Sequence, residues 1–205
     1  MLDWIKNHFN TLHQLQLNAL VTDNNGSKIG LADGFEKCIQ AFTGIRKSNA
    51  KIIFVGNGGS AGIASHLAID FSKNGRMPAM AFSDASAITC LSNDYGYEHV
   101  FAKQIEFHAR TGDVLVAISS SGKSVNITNA VEAARKVGCE VITFSGFKSG
   151  NPLSQLGDVN YYIDSNEYGF VEVAHMGLGH TILDYILENE SVNTHADQTR
   201  LVAAS

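Results

Sequence analysis

The chain has 205 residues, 44% hydrophobic and 17% charged, with a formal net charge of −5. That length suits one domain with a substantial core. The acidic balance and the lack of a lysine- or arginine-rich block speak against a nucleic-acid surface, and the apolar runs are far too short to span a membrane.

The first residues, Met1-Leu2-Asp3-Trp4-Ile5-Lys6, carry an early acid and no apolar signal core, so a cytoplasmic protein is expected. Cys38, Cys90 and Cys139 are odd in number, widely spaced and form no C-x-x-C, which fits buried, reduced thiols. Trp4, Ile5, Phe9, Leu12 and Leu15 recur at helical spacing, and Phe35, Cys38, Ile39 and Phe42 repeat the pattern. Residues 1–48 therefore read as two N-terminal helices, with Gly26-Ser27-Lys28 as the break between them. Such helices either pack on the domain's own sheet or form an oligomerisation bundle. The bundle is mildly favoured, because a helix leading away from a compact domain often needs a partner.

Residues 49–192 read as the main domain, in which strand-like and helix-like segments alternate. Strands are expected at 51–55, 79–82, 114–118, 141–144 and 161–163, and helices at about 60–72, 97–109 and 124–137. This alternation predicts an α/β fold, a parallel sheet with helices on both faces. Ligands in such sheets sit beyond the carboxyl ends of the strands. Residues 193–205 are expected to form a frayed tail.

Two loops occupy that position. Gly56-Asn57-Gly58-Gly59-Ser60 follows the apolar run Ile52-Ile53-Phe54-Val55, and Ser119-Ser120-Ser121-Gly122-Lys123-Ser124 follows Val114-Leu115-Val116-Ala117-Ile118. The first N–H groups of a helix have no partner within it, and the helix dipole makes that end electropositive. Glycine lets a ligand come close to the backbone, and serine adds rotatable donors. Both loops suit a phosphate, so a phosphorylated, hydroxyl-rich ligand is expected.

His66 and Asp70 are four apart on the helix after the first loop and project from one face, where both can reach one divalent cation. A plain hydrogen bond on the helix surface is the simpler explanation of the pair, and only its place just beyond a phosphate-type loop favours the cation. Nearer the C-terminus lies Glu172-Val173-Ala174-His175-Met176-Gly177-Leu178-Gly179-His180. Glu172 and His180 share a broad helix face, while His175 lies to the other side. Spacing alone does not choose between the histidines, and at least one is expected to be a core residue bonded to a backbone carbonyl. Gly177 and Gly179 are unfavourable inside a helix by roughly 1 kcal/mol each, which implies close approach of another element or another subunit. In Ser92-Asn93-Asp94-Tyr95-Gly96-Tyr97, Asn93 or Asp94 is expected to cap a helix, or else to bond sugar hydroxyls.

Taken together, the two loops, Asn93-Asp94-Tyr95-Gly96 and the segment from Glu172 to His180 resemble the sugar isomerase (SIS) domain in order and spacing. Within that superfamily the chain looks like the sedoheptulose 7-phosphate (phosphoheptose) isomerases, from about residue 30 to residue 190. The resemblance implies a flavodoxin-like three-layer sandwich with a five-stranded parallel sheet. It also implies a homotetramer with active sites between subunits, and conversion of sedoheptulose 7-phosphate to a heptose 7-phosphate. By position, Ser119, Ser120, Ser121 and Ser124 would hold the phosphate, and Asn57, Gly58, Gly59, Ser60, Asn93 and Asp94 would line the sugar. His66, Asp70, Glu172 and His180 fall where the family has its zinc ligands, and Asp70 and His180 where it has catalytic groups. The chain departs from the family pattern in three places: Asp70 stands for a glutamate, Glu172 for a glutamine and Gly169 for an aspartate. The shorter Asp70 and the longer Glu172 suggest exchanged emphasis, with Glu172 sharing or taking the base role and contacting substrate. Three other readings are a sugar-phosphate isomerase of a capsule or modified-sugar pathway, a non-catalytic SIS protein binding a replication initiator, and a dinucleotide oxidoreductase using Asp84.

Overall fold

The structure, a computed structural model, describes residues 1–189 in full and the backbone of 190–203. The tail expected at 193–205 lies outside the fully described residues. Helix α1 (Leu2–Leu17) leads into a hairpin of β1 (Leu20–Asp23) and β2 (Lys28–Ile29), followed by α2 (Leu31–Ile45). Strands β3 (Ile52–Gly56), β4 (Ala79–Ala81), β5 (Val114–Ser119), β6 (Glu140–Ser145) and β7 (Val159–Tyr162) then alternate with helices. These are α3 (Gly59–Lys73), α4 (Ala85–Tyr95), α5 (Val100–His108) and α6 (Val125–Val137), and α7 (Tyr168–Ala203) closes the chain.

The five expected strands all form and run parallel in the order β4-β3-β5-β6-β7, a flavodoxin-like arrangement. The sheet nevertheless has seven strands rather than five. β1 adds antiparallel to β7, with Leu20 opposite Tyr162, and β2 pairs with β1. The segment expected to be a break between helices is thus part of a hairpin. Asp23 Oδ1 accepts from the N–H groups of Asn25 and Ser27, both at 2.9 Å, and Gly26 takes φ 74° to complete the reversal.

Alternate strand residues face opposite layers. Ile52, Phe54, Val116, Ile118 and Phe144 pack under α2, α3 and α7, while Ile53, Val55, Leu115, Ala117 and Val141 pack under α4, α5 and α6. Every residue of β3 and β5 is buried, which is why both read as unbroken apolar runs. Each such side chain, Ile52 or Leu115 for example, contributes about 1.5–3 kcal/mol by leaving water.

The helices differ from expectation in three ways. α2 packs on the domain's own sheet through Cys38, Phe42 and Ile45, whereas α1 buries no residue fully and leaves Leu2, Trp4 and Phe9 exposed. The helix expected from residue 97 begins as a 3-10 turn (Tyr97–His99) before α5, and a separate helix, α4, precedes it. Asn93 and Asp94 therefore end α4 instead of capping a helix start; the cap is Asp84, which accepts from Ala87 N at 2.9 Å. Cys90 is exposed, contrary to expectation, because it lies on the outer side of α4. Cys38 and Cys139 are buried, and burial pushes their thiols up to about 12 and about 11. Among the described residues no helix is long and apolar enough to cross a membrane.

Candidate active site

β3 and β5 are neighbours whose following helices leave to opposite faces of the sheet, and a crevice opens at their carboxyl ends. Both glycine/serine loops lie there. At Gly56 the chain doubles back so tightly that a Cβ would fall 2.5 Å from the Ser60 carbonyl oxygen, and Gly58 enters α3 at φ 54°. The N-cap positions of α3 and α6, Gly58 and Ser124, make no side-chain capping bond. Asp84, by contrast, supplies α4 with an anion of its own.

The loops enclose a cavity of about 260 Å³. Asn57, Gly58, Gly59 and Ser60 form one side, Ser119, Ser120, Ser121 and Ser124 the other, and α7 adds Tyr168 and Glu172. Ser119 Oγ accepts from Gly122 N at 3.2 Å and reaches Ser124 Oγ at 3.4 Å, while Ser121 Oγ accepts from Lys123 N at 3.3 Å. The buried Ser120 hydroxyl has no hydrogen-bond partner among the described residues. An unpaired buried hydroxyl costs about 1–3 kcal/mol, and the oxygen of a bound anion would relieve it. Among the described residues no lysine or arginine lines the cavity, whose donors are hydroxyl, amide and backbone groups.

Asn57 is fixed from two sides. Its Nδ2 donates to Asn126 Oδ1 at 2.9 Å, its Oδ1 accepts from Asn126 Nδ2 at 3.0 Å, and Tyr97 Oη donates to the same Oδ1 at 2.9 Å. Asn93 and Asp94 lie outside the cavity, in the last turn of α4, where Asn93 Nδ2 donates to Asp94 Oδ1 at 2.9 Å.

A second feature lies along the seam where α3 and α7 run side by side in the same direction. A Cβ on Gly59 would overlap the Glu172 carboxylate, one on Gly179 would fall 2.5 Å from Leu67 Cδ1, and one on Gly75 would fall 3.0 Å from Leu183 Cδ1. Between these points His66 Nε2 and Asp70 Oδ2 are 3.2 Å apart, and His180 Nδ1 is 3.8 Å from the same oxygen. The two imidazole rings meet at 5.2 Å, and one ligand atom from each of the three residues lies within 4.8 Å of the others. Asn74 Nδ2 donates to Asp70 Oδ1 at 3.3 Å, which leaves Oδ2 to the histidines. Two imidazoles and a carboxylate gathered on one point, none of them fully buried, fit the donor set of a zinc site.

Among the described residues Glu172 is not gathered with those three; it lies beside the loops, in the cavity lining. Eight residues of helix separate it from His180, about 12 Å of axial rise, so it meets the start of α3 while His180 meets the third turn. His175 is the core histidine. Fully buried, it stacks on Phe144 at 5.7 Å, and its Nε2–H donates to the Ser145 carbonyl at 3.0 Å. Burial lowers its pKa to about 4. The glycines of α7 admit elements of the same chain, Gln16 of α1 at Gly177 and Leu67 of α3 at Gly179.

Three residues of the site escape the sequence reading: Tyr97, Asn126 and Tyr168. Asn126, two residues past Ser124, carries a usable signal, since a polar residue in the first turn after a phosphate-type loop can bond the neighbouring loop. Tyr97 and Tyr168 reach the site only through the fold.

Residues 27–146 match the SIS domain family. A phosphoheptose isomerase of Nitratiruptor sp. is 41% identical over 158 residues, covering 74% of this chain and 82% of that protein. One from Enterobacter sp. is 35% identical over 201 residues, covering 93% and 98%. The solved structure of phosphoheptose isomerase GmhA from Neisseria gonorrhoeae superposes with a TM-score of 0.74 at 30% identity, covering 90% of this chain and 98% of that one. The chain therefore belongs to the SIS domain family and, within it, to the phosphoheptose isomerases.

Proposed function

We propose that this isomerase interconverts sedoheptulose 7-phosphate and D-glycero-D-manno-heptose 7-phosphate through an enediol, with zinc bound by His66, Asp70 and His180. The observation that carries the reading is that one seam, α3 against α7, joins a phosphate-type cavity to a cluster of imidazole and carboxylate groups.

Ketose–aldose exchange moves a proton between C1 and C2. It needs a base at carbon, an acid for the oxygens and a counter to the developing oxyanion. The serine loop grips the ester end with hydroxyl and backbone donors and uses that remote binding to hold the reacting carbons in place. A carboxylate of the seam, Glu172 beside the loops or Asp70 beside His180, takes the proton from carbon. His180, whose Nδ1 lies beside Asp70 Oδ2, keeps its Nε2–H to donate to the sugar oxygens. Asp70, turned by Asn74, holds both imidazoles in orientation. Zinc, when bound, supplies Lewis-acid polarisation of the carbonyl.

Assembly as a homotetramer in the cytoplasm belongs to the same reading. The uncovered Leu2, Trp4 and Phe9 of α1 support an oligomeric contact. His180→Ala tests the chemistry. Isomerisation is expected to disappear while calorimetric binding of sedoheptulose 7-phosphate survives within about threefold. Loss of binding together with turnover would make His180 structural instead.

A further inference from the structure

Tyr168 opens α7 one helical turn before Glu172, and both line the serine cavity. Its side chain is largely exposed, yet its ring is braced. It meets Phe147 edge to face, with centroids 4.8 Å apart and planes at 73°. Phe147 stands in left-handed backbone at φ 58°, a conformation that bulky residues adopt only where the surroundings impose it. Here two hydrogen bonds do so. Phe147 N donates to the Ser165 carbonyl at 2.8 Å, and Tyr162 Oη donates to the Phe147 carbonyl at 2.7 Å. The consequence is an aromatic side chain fixed beside a cavity that, among the described residues, has no cationic lining. Among the described residues, the Tyr168 hydroxyl makes no hydrogen bond.

We propose that Tyr168 contacts substrate: its braced ring closes the outer wall of the serine cavity, and its hydroxyl donates to the anionic end of the bound sugar phosphate. The proposal rests on the reading of that cavity as a sugar-phosphate site. Without lysine or arginine to neutralise the ester, each added neutral donor carries a larger share of its binding.

The test titrates the full chain with inorganic phosphate and, separately, with sedoheptulose 7-phosphate by calorimetry, alongside steady-state kinetics. Tyr168→Phe removes only the hydroxyl and is expected to weaken both ligands roughly tenfold. It should raise KM by a similar factor with kcat changed by less than about threefold. Tyr168→Ala is expected to weaken the sugar phosphate further than Tyr168→Phe. Phe147→Ala, which keeps the hydroxyl but frees the ring, should reproduce part of that loss. Inorganic phosphate binding within about twofold of wild type in both Tyr168 variants would overturn the proposal. A wild-type protein that binds inorganic phosphate but converts no sugar phosphate sinks the isomerase reading alone, and the phosphate titrations of the variants still decide the role of Tyr168.

Discussion

Asn57 and Asn126 hold each other through a reciprocal pair of amide hydrogen bonds, 2.9 and 3.0 Å long, which ties the loop after β3 to the first turn of α6. The two halves of the site come from different strands and helices, so this pair sets the distance between them. Asn126 is buried, and removing its side chain leaves Asn57 with an unpaired donor, a loss of about 1–3 kcal/mol. Asn126→Ala is expected to lower kcat/KM at least tenfold. Tyr97→Phe, which removes one bond from the same oxygen, should cost no more than about 1 kcal/mol. Kinetics and urea unfolding of both variants measure this. Equal effects from the two would show that the amide pair is not what spaces the loops.

Gly177 and Gly179 of α7 make opposite predictions. At Gly177 an added Cβ meets only the far end of Gln16, which can swing away, so Gly177→Ala keeps the gain in helix propensity of up to about 1 kcal/mol. At Gly179 it meets Leu67 Cδ1 at 2.5 Å and Cδ2 at 2.9 Å, and Leu67 is fully buried with nowhere to move. Overpacking of that kind costs about 1–3 kcal/mol and outweighs the propensity gain. Gly177→Ala should unfold at the same or higher urea concentration than wild type, and Gly179→Ala at a lower one. A reversal of that order would contradict the packing of α7 against α3.

His175 predicts a pH dependence of stability. It is buried and neutral, with its pKa lowered by desolvation from 6.5 to about 4. Below pH 6.5 the unfolded chain takes up a proton that the native state refuses, so stability is full above that pH and falls as pH drops toward 4. The loss from this one group is about 1 kcal/mol by pH 5.5 and about 3 kcal/mol in all. Urea unfolding at pH 7.5 and 5.5, with chelator present so that metal binding does not contribute, checks it. An unchanged midpoint would contradict a neutral, buried His175.

Much of this was legible before the structure, for physical reasons. Ile52-Ile53-Phe54-Val55 and Val114-Leu115-Val116-Ala117-Ile118 are buried on both faces, so their apolar runs declare central parallel strands, and the loops at their ends follow. The hairpin of β1 and β2 was not read, although Asn24-Asn25-Gly26 is a turn signal, because strands this short gain their stability from β7 and not from their own pattern. Glu172 and His180 share a helix face, as spacing implied, but periodicity gives direction without axial reach, and only the family resemblance assigned both to one metal. Their partners on α3, Gly59 for one and Asp70 for the other, are set by how the two helices align. Tyr97 escaped for a similar reason: it lies 40 positions from Asn57 in sequence and meets it only when the chain folds.

The most direct measurement is incubation of the purified protein with sedoheptulose 7-phosphate, before and after chelation and after return of zinc, with the sugar product identified. The account predicts an aldoheptose 7-phosphate that stops forming on chelation and forms again when zinc is restored. Turnover indifferent to chelation would remove the metal from His66, Asp70 and His180, and no conversion under any of the three conditions would contradict the isomerase assignment itself.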